Sequence, residues 1–84
     1  MRVEFYGVSR QRAGRPDMDV HASTLGELLT ILSNEMPLLG ELIEGDSLHP
    51  VLAASLNGDR FVKDPRTPLS DSDCVLIISA DAGG

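Results

Sequence analysis

The fold turns on the stretch PLSDSDCVLIISADAGG, residues 68–84. Its opening, PLSDSD, is turn chemistry, rich in proline, serine and aspartate. CVLIIS then reads as a strand whose side chains alternate, Val75 and Ile77 on one face and Cys74, Leu76 and Ile78 on the other. Both faces are apolar, which places this strand in the middle of a sheet rather than at its edge. The chain then changes character: SADAGG is made only of small or acidic residues and ends on two glycines.

Outward from that strand, RVEFYGV at the N-terminus also alternates, with Val3 and Phe5 sharing one face and Arg2, Glu4 and Tyr6 the other. A weaker strand over Asp17 to His21 turns Met18 and Val20 inward, and SRQRAGRP between the two, broken by Gly14 and Pro16, reads as a hairpin connection. Thr24 followed by Glu27 predicts a capping box. Leu25, Leu28, Leu29 and Leu32 then form one apolar stripe of a helix that runs to about Glu35, ahead of Pro37. LLGELIEG predicts a short second helix with Leu38, Leu39, Leu42 and Ile43 inward and Gly45 as its left-handed stop. VLAASL, the turn Asn57-Gly58 and a return strand over Arg60 to Lys63 make a hairpin. The order strand, strand, helix, short helix, strand, short strand, strand predicts an α+β domain with one main helix on one sheet face. A helix on one face leaves the other apolar face of the last strand for something else to cover.

At 84 residues the chain has room for one core. Hydrophobic residues make up 42% and charged residues 24%, an ordinary balance for a soluble globular domain. The strand-like, charged N-terminus has none of the parts of a secretory signal, so a non-secreted, cytoplasmic protein is expected. The net charge of −6 argues against nucleic acid and anionic membrane as partners and for a basic protein surface. Arg10, Arg12 and Arg15 are the one basic cluster, set in an otherwise acidic chain. Cys74 is the only cysteine, and His21 and His49 are far apart, so no metal site is expected. No histidine or basic residue neighbours Cys74 in sequence to lower its pKa, which argues against a nucleophilic thiol.

VEFYG at the start, TLGELL at the helix, AASLNG before the hairpin, PLSDSDCVLII and the terminal Gly-Gly together resemble the MoaD and ThiS group of sulfur carriers. These are β-grasp proteins related in fold to ubiquitin, and the likeness covers essentially the whole chain. It implies a mixed-sheet β-grasp body over residues 1–78 and a flexible tail over 79–84. The resemblance further implies that the carboxylate of Gly84 is adenylated by a separate activating enzyme using ATP and Mg, then converted to a thiocarboxylate that donates sulfur. Gly83 would let that end pass through a narrow channel, and Ser79, Ala80, Asp81 and Ala82 would supply reach.

The long segment PLLGELIEGDSLHP between helix and third strand resembles the small subunit of molybdopterin synthase more than the shorter thiamine carriers. The implied partners are an adenylating enzyme, a large synthase subunit and a sulfur donor protein. Tyr6, Arg10, Leu76 and Ile78 would form the partner interface, with Val75 and Ile77 against the helix. Relatives often carry prolines before the tail and a GDxV element, where this chain has Ser79-Ala80-Asp81 and Ser72-Asp73-Cys74. The alternatives are a ubiquitin-like protein modifier, a carrier serving thiamine, cysteine or tRNA thiolation, or a plain β-grasp interaction module whose Gly-Gly is incidental.

The physical reading agrees with a carrier that is not catalytic alone. An α-carboxyl is ionised at neutral pH and weakly reactive, and its attack on ATP needs positioning and charge neutralisation. The sequence has no phosphate loop to supply them and binds no cofactor of its own by this reading. A glycine-rich end can be swallowed by a cleft that any side chain would jam.

Overall fold

The computed structural model describes residues 1–80. Ten elements follow one another: β1 (Arg2–Phe5), α1 (Val8–Ala13), β2 (Asp17–Asp19), α2 (Leu25–Glu35), α3 (Pro37–Gly40), β3 (Ile43–Glu44), β4 (Ser47–Leu48), β5 (Leu52–Leu56), β6 (Arg60–Val62) and β7 (Cys74–Ser79). Five strands form one sheet in the order β2-β1-β7-β5-β6, while β3 and β4 make a separate small hairpin. β7 is central, as its two apolar faces predict. It runs parallel to β1, pairing Val3 with Val75 and Phe5 with Ile77, and antiparallel to β5, pairing Ala54 with Ile77 and Leu56 with Val75. This mixed sheet under one main helix is the β-grasp arrangement.

α2 lies on the face that carries Val3, Phe5, Ala54, Leu56, Val75 and Ile77, all buried. Its own stripe of Leu25, Leu28, Leu29 and Leu32 is buried as the spacing predicts. The first N–H groups of an α-helix have no partner within it. Here Leu25 N–H donates to Thr67 O at 3.0 Å, Gly26 N–H to Pro65 O at 2.9 Å and Glu27 N–H to Thr24 Oγ1 at 3.2 Å. The hydroxyl half of the capping box therefore forms, while a return bond from Thr24 N–H to the Glu27 carboxylate does not occur among the described residues; Thr24 sits opposite Pro68 in a bridge closed by Leu25 N–H on Thr67 O and Leu69 N–H on Ser23 O.

Four local expectations are corrected. Residues 9–13, read as part of a plain connection, form α1 together with Val8, ended by Gly14 in the left-handed region with its N–H on Arg10 O at 2.9 Å. α1 has almost no apolar periodicity because the residue it buries is polar: Ser9 is fully enclosed. The second helix stops at Gly40, and Ile43 pairs with Leu48 instead, so Gly45, with φ 63°, turns the β3–β4 hairpin rather than ending a helix. Ser79, the expected first residue of the tail, is the last residue of β7 and pairs with Leu52. The Asn57-Gly58 turn takes the positive φ its sequence predicts, 57° and 71°, with Asp59 N–H closing on Leu56 O at 3.0 Å, but Leu56 pairs with Arg60, so Asp59 joins a three-residue loop instead of a two-residue one.

Candidate functional site

Two parts of the structure bear on the predicted chemistry: the root from which the chain leaves β7, and the sheet face that α2 does not cover. The root is built by α1. After β1 the chain turns at Gly7, whose φ of 60° and ψ of −128° no L side chain adopts readily; a Cβ there would also meet Ser79 Oγ at 2.7 Å. That turn brings Ser9 under the end of β7. The Ser9 hydroxyl lies 2.6 Å from Ile77 O and 2.9 Å from Tyr6 O, and accepts from Tyr6 N–H at 3.1 Å. Tyr6 N–H also donates to Ile77 O at 3.0 Å, and Val8 N–H to Ser79 Oγ at 3.4 Å. One step further on, Ala80 N–H donates to Val51 O at 2.8 Å. The chain is therefore held on both sides up to Ala80. Asp81, Ala82, Gly83 and Gly84, the remaining predicted tail and reactive residues, lie outside the described residues.

The uncovered face follows from the register. Glu4 stands beside Leu76, Leu76 beside Ser55 and Ser55 beside Phe61; in the next row Ile78 stands beside Ala53. Tyr6 continues β1 one residue past the Phe5–Ile77 pair, next to Ile78. Leu76 and Ile78 are half-buried, whereas Tyr6 is 45% and Phe61 56% exposed. The structure thus brings three of the four predicted interface residues, Tyr6, Leu76 and Ile78, onto one face. Arg10 stands apart from them on α1, exposed. Phe61 is the residue that sequence reasoning passed over. The signal was present: Val62 points inward, so its neighbour in an alternating strand points outward.

One edge of this face is charged. The Glu4 carboxylate takes the Tyr6 hydroxyl on one oxygen; on the other it meets Arg2 Nε at 2.9 Å and Cys74 Sγ at 3.5 Å. Arg2 also pairs with Asp17 at 2.9 Å. The Tyr6 hydroxyl first, and the Arg2 guanidinium next, hold Glu4 below the usual glutamate range, while the same carboxylate pushes the Tyr6 phenol up. Partial burial first, and then Glu4, raise the Cys74 thiol, so it stays protonated at neutral pH and is a poor nucleophile. Among the described residues, no cluster of three or more histidine, cysteine or acidic side chains is placed to hold a metal ion.

A handful of solved structures have the same arrangement. The chain is similar to SAMP1, the small archaeal modifier protein 1 of Methanosarcina acetivorans, with 24% identity over 99% of this chain and 94% of that one and a TM-score of 0.79. It is also similar to a chain in the complex of subunits 1 and 2 of the molybdopterin-converting factor of Helicobacter pylori, at 27% identity over 93% of this chain and 89% of that one, with a TM-score of 0.66. The fold is that of the MoaD and ThiS group. The HVO 2177 protein of Haloferax volcanii matches this MoaD/ThiS-type fold too, with 28% identity over 99% of this chain and 84% of that one and a TM-score of 0.72. No protein-family model and no curated protein matches the sequence. Among the described residues no helix is long and apolar enough to cross a membrane.

Proposed function

We propose that the protein is a sulfur carrier serving molybdopterin formation. A separate enzyme, using ATP and Mg, adenylates the Gly84 carboxylate with release of pyrophosphate, and sulfide-level sulfur supplied through a donor protein attacks the acyl carbon and displaces AMP to leave a thiocarboxylate. The observation that carries this reading is the position of β7: the central strand delivers the chain at Ala80 beside an uncovered apolar face, ahead of residues ending in Gly83-Gly84. A partner that seats itself on Tyr6, Phe61, Leu76 and Ile78 would find the chain end within reach of its own cleft. Residues 81–84 span at most about 13–14 Å when extended. Arg10, exposed on α1, would add a polar contact outside the sheet, and Asp81 and Ala82 would serve as spacer. The likeness to a chain of a molybdopterin-converting factor complex supports a synthase partner.

The chain contributes no acid–base pair of its own to the chemistry in this reading; it contributes presentation. Intact-mass analysis tests it. Incubation with an adenylating enzyme, ATP, Mg and a sulfide source should exchange one terminal oxygen for sulfur in the wild type and leave a Gly84-deleted chain unchanged. A wild type that gains no sulfur under conditions that load a control carrier overturns the proposal.

The likeness to a small archaeal modifier protein favours a second reading, in which the activated Gly84 ends on a lysine of another protein. Covalent high-mass adducts that vanish on deletion of Gly84 would mark it. Lys63 is the chain's only lysine, so chains of the modifier itself would need that one position.

A further inference from the structure

The loop Asn57-Gly58-Asp59, which joins β5 to β6, is tied to the start of β7 through one residue. Asn57 N–H donates to Cys74 O at 2.7 Å, and Cys74 N–H donates back to Asn57 Oδ1 at 2.7 Å. The other end of the same amide, Nδ2, donates to Asp73 Oδ1 at 3.0 Å, and the second oxygen of that carboxylate accepts from Ser70 N–H at 2.8 Å. Both ends of the Asn57 amide are thus engaged on β7 and the turn before it, although the residue is exposed. The next residue is glycine. Its N–H has no partner among the described residues, and a Cβ there would meet nothing within 4 Å, so solvent reaches the Asn57–Gly58 peptide bond.

We propose that Asn57 is a deamidation site, shut while Cys74 and Asp73 hold its amide and open whenever the β5–β6 loop parts from β7. In the open state the Gly58 backbone nitrogen gives its proton to solvent base and attacks Asn57 Cγ. A new N–C bond forms, the side-chain nitrogen leaves as ammonia, and a cyclic succinimide remains. Water then opens the ring: breaking the new bond to Cγ gives aspartate with the backbone restored, and breaking the bond to the Asn57 carbonyl carbon gives isoaspartate. Glycine favours the attack because no side chain crowds the nitrogen as it closes on Cγ. The closed state resists it, since Cγ cannot swing toward Gly58 without giving up its bonds to Asp73 and Cys74. The product then keeps the loop open. A carboxylate at position 57 puts an oxygen where Nδ2 stood, 3.0 Å from Asp73 Oδ1, so like charge replaces a hydrogen bond. Besides Asn57 and Ser70, Arg60 on β6 is the group whose charge reaches Asp73, and it offsets part of that repulsion. Isoaspartate also lengthens the backbone by a methylene inside a turn built on two positive φ angles.

The inference goes beyond the sulfur-carrier reading and does not depend on it, since its test contains no activating enzyme. Full-length protein is held in mildly alkaline buffer with and without guanidinium chloride. Mass spectrometry follows the exchange of amide nitrogen for oxygen, with peptide mapping that separates aspartyl from isoaspartyl products. Native wild type should convert Asn57 at a measurable rate, at least about ten-fold slower than the unfolded chain, as expected where two hydrogen bonds must break first. Asn34, the chain's other asparagine, sits in α2 ahead of Glu35 and should lag in both states. In native buffer Asp73→Ala should convert Asn57 at least about five-fold faster than the wild type. Ser9→Ala, which removes a bond at the opposite end of β7, should leave the rate unchanged. The product itself is tested as Asn57→Asp. Facing carboxylates raise the folded pKa of the pair, so the penalty is fully present above it and relieved as pH falls through it. The urea midpoint of Asn57→Asp should therefore lie below the wild type near neutrality and close the gap toward about pH 5. Equal rates for native and unfolded wild type overturn the proposal, as does an Asn57 that stays an amide in native wild type and Asp73→Ala alike. Equal acceleration by Ser9→Ala overturns it too, because the opening would then be global unfolding. An Asn57→Asp midpoint equal to the wild type at both pH values overturns the claim that the product keeps the loop open.

Discussion

Asp73 is where a single side chain sets a condition on the fold. Its carboxylate takes the Asn57 amide at 3.0 Å on one oxygen and the Ser70 backbone N–H at 2.8 Å on the other. The Asn57 amide above all, and Ser70 after it, hold its pKa below the usual aspartate range. Asn57 in turn accepts from Cys74 N–H at 2.7 Å, so this carboxylate helps to fix the start of β7 against the hairpin turn. A carboxyl whose pKa is depressed on folding contributes stability that is present above its unfolded value and lost as pH falls through its folded one. Glu4 and Asp64 act in the same direction. Urea midpoints should therefore be steady near neutrality and fall as pH drops below about 4, where unfolded carboxyls bind protons first. Asp73→Asn should lower the midpoint at pH 7 and flatten this acid decline; a variant whose decline matches the wild type would remove Asp73 from the account.

At the scale of elements, α2 has its start anchored three ways, by Thr24 and by the carbonyls of Pro65 and Thr67. Thr24→Ala removes only the first and should cost about 1 kcal/mol in urea unfolding, the usual loss for an N-cap. A loss near zero would mean that the 65–69 segment alone satisfies the helix end. α2 was legible in the sequence because cap and apolar spacing agreed. β7 was legible because its residues are apolar on both faces. α1 was not, because its anchor is a serine: Ser9 contributes a hydroxyl to Ile77 O where a leucine would have contributed a periodic signal. The β3–β4 hairpin was hidden for a related reason. Its strands are two residues each, too short to show alternation, and Leu39 alone of the preceding apolar pair is buried, Leu38 remaining 59% exposed. Of the candidate site, alternation put Leu76 with Ile78 on one face of β7 and Tyr6 on the outer face of β1, but joining the two faces rested on the family resemblance, and the β1–β7 register is what unites them. Phe61 was missed because its signal was a single step of alternation from Val62 in a strand of only three residues.

For the whole molecule, the two sheet faces carry different duties. One is filled by α2; the other presents an apolar strip bordered on the β2 side by Glu4 and Asp17. Arg2 pairs with both carboxylates and offsets part of that charge, but the net charge of −6 still favours a partner of opposite charge, whose association should slow as salt is raised. Phe61→Ser should leave urea stability within about 1 kcal/mol, because the ring is exposed, yet weaken partner binding at least about ten-fold if the ring is an interface anchor. Unchanged affinity would confine the interface to Tyr6, Leu76 and Ile78. The parallel pairing of β1 with β7 has a consequence of another kind. The sheet's first strand must wait for the last, more than seventy residues away, before its inner edge is filled. On a ribosome the growing chain would hold its helix and outer strands without their keystone, so completion of the fold waits until residues 74–79 have been made and can reach β1.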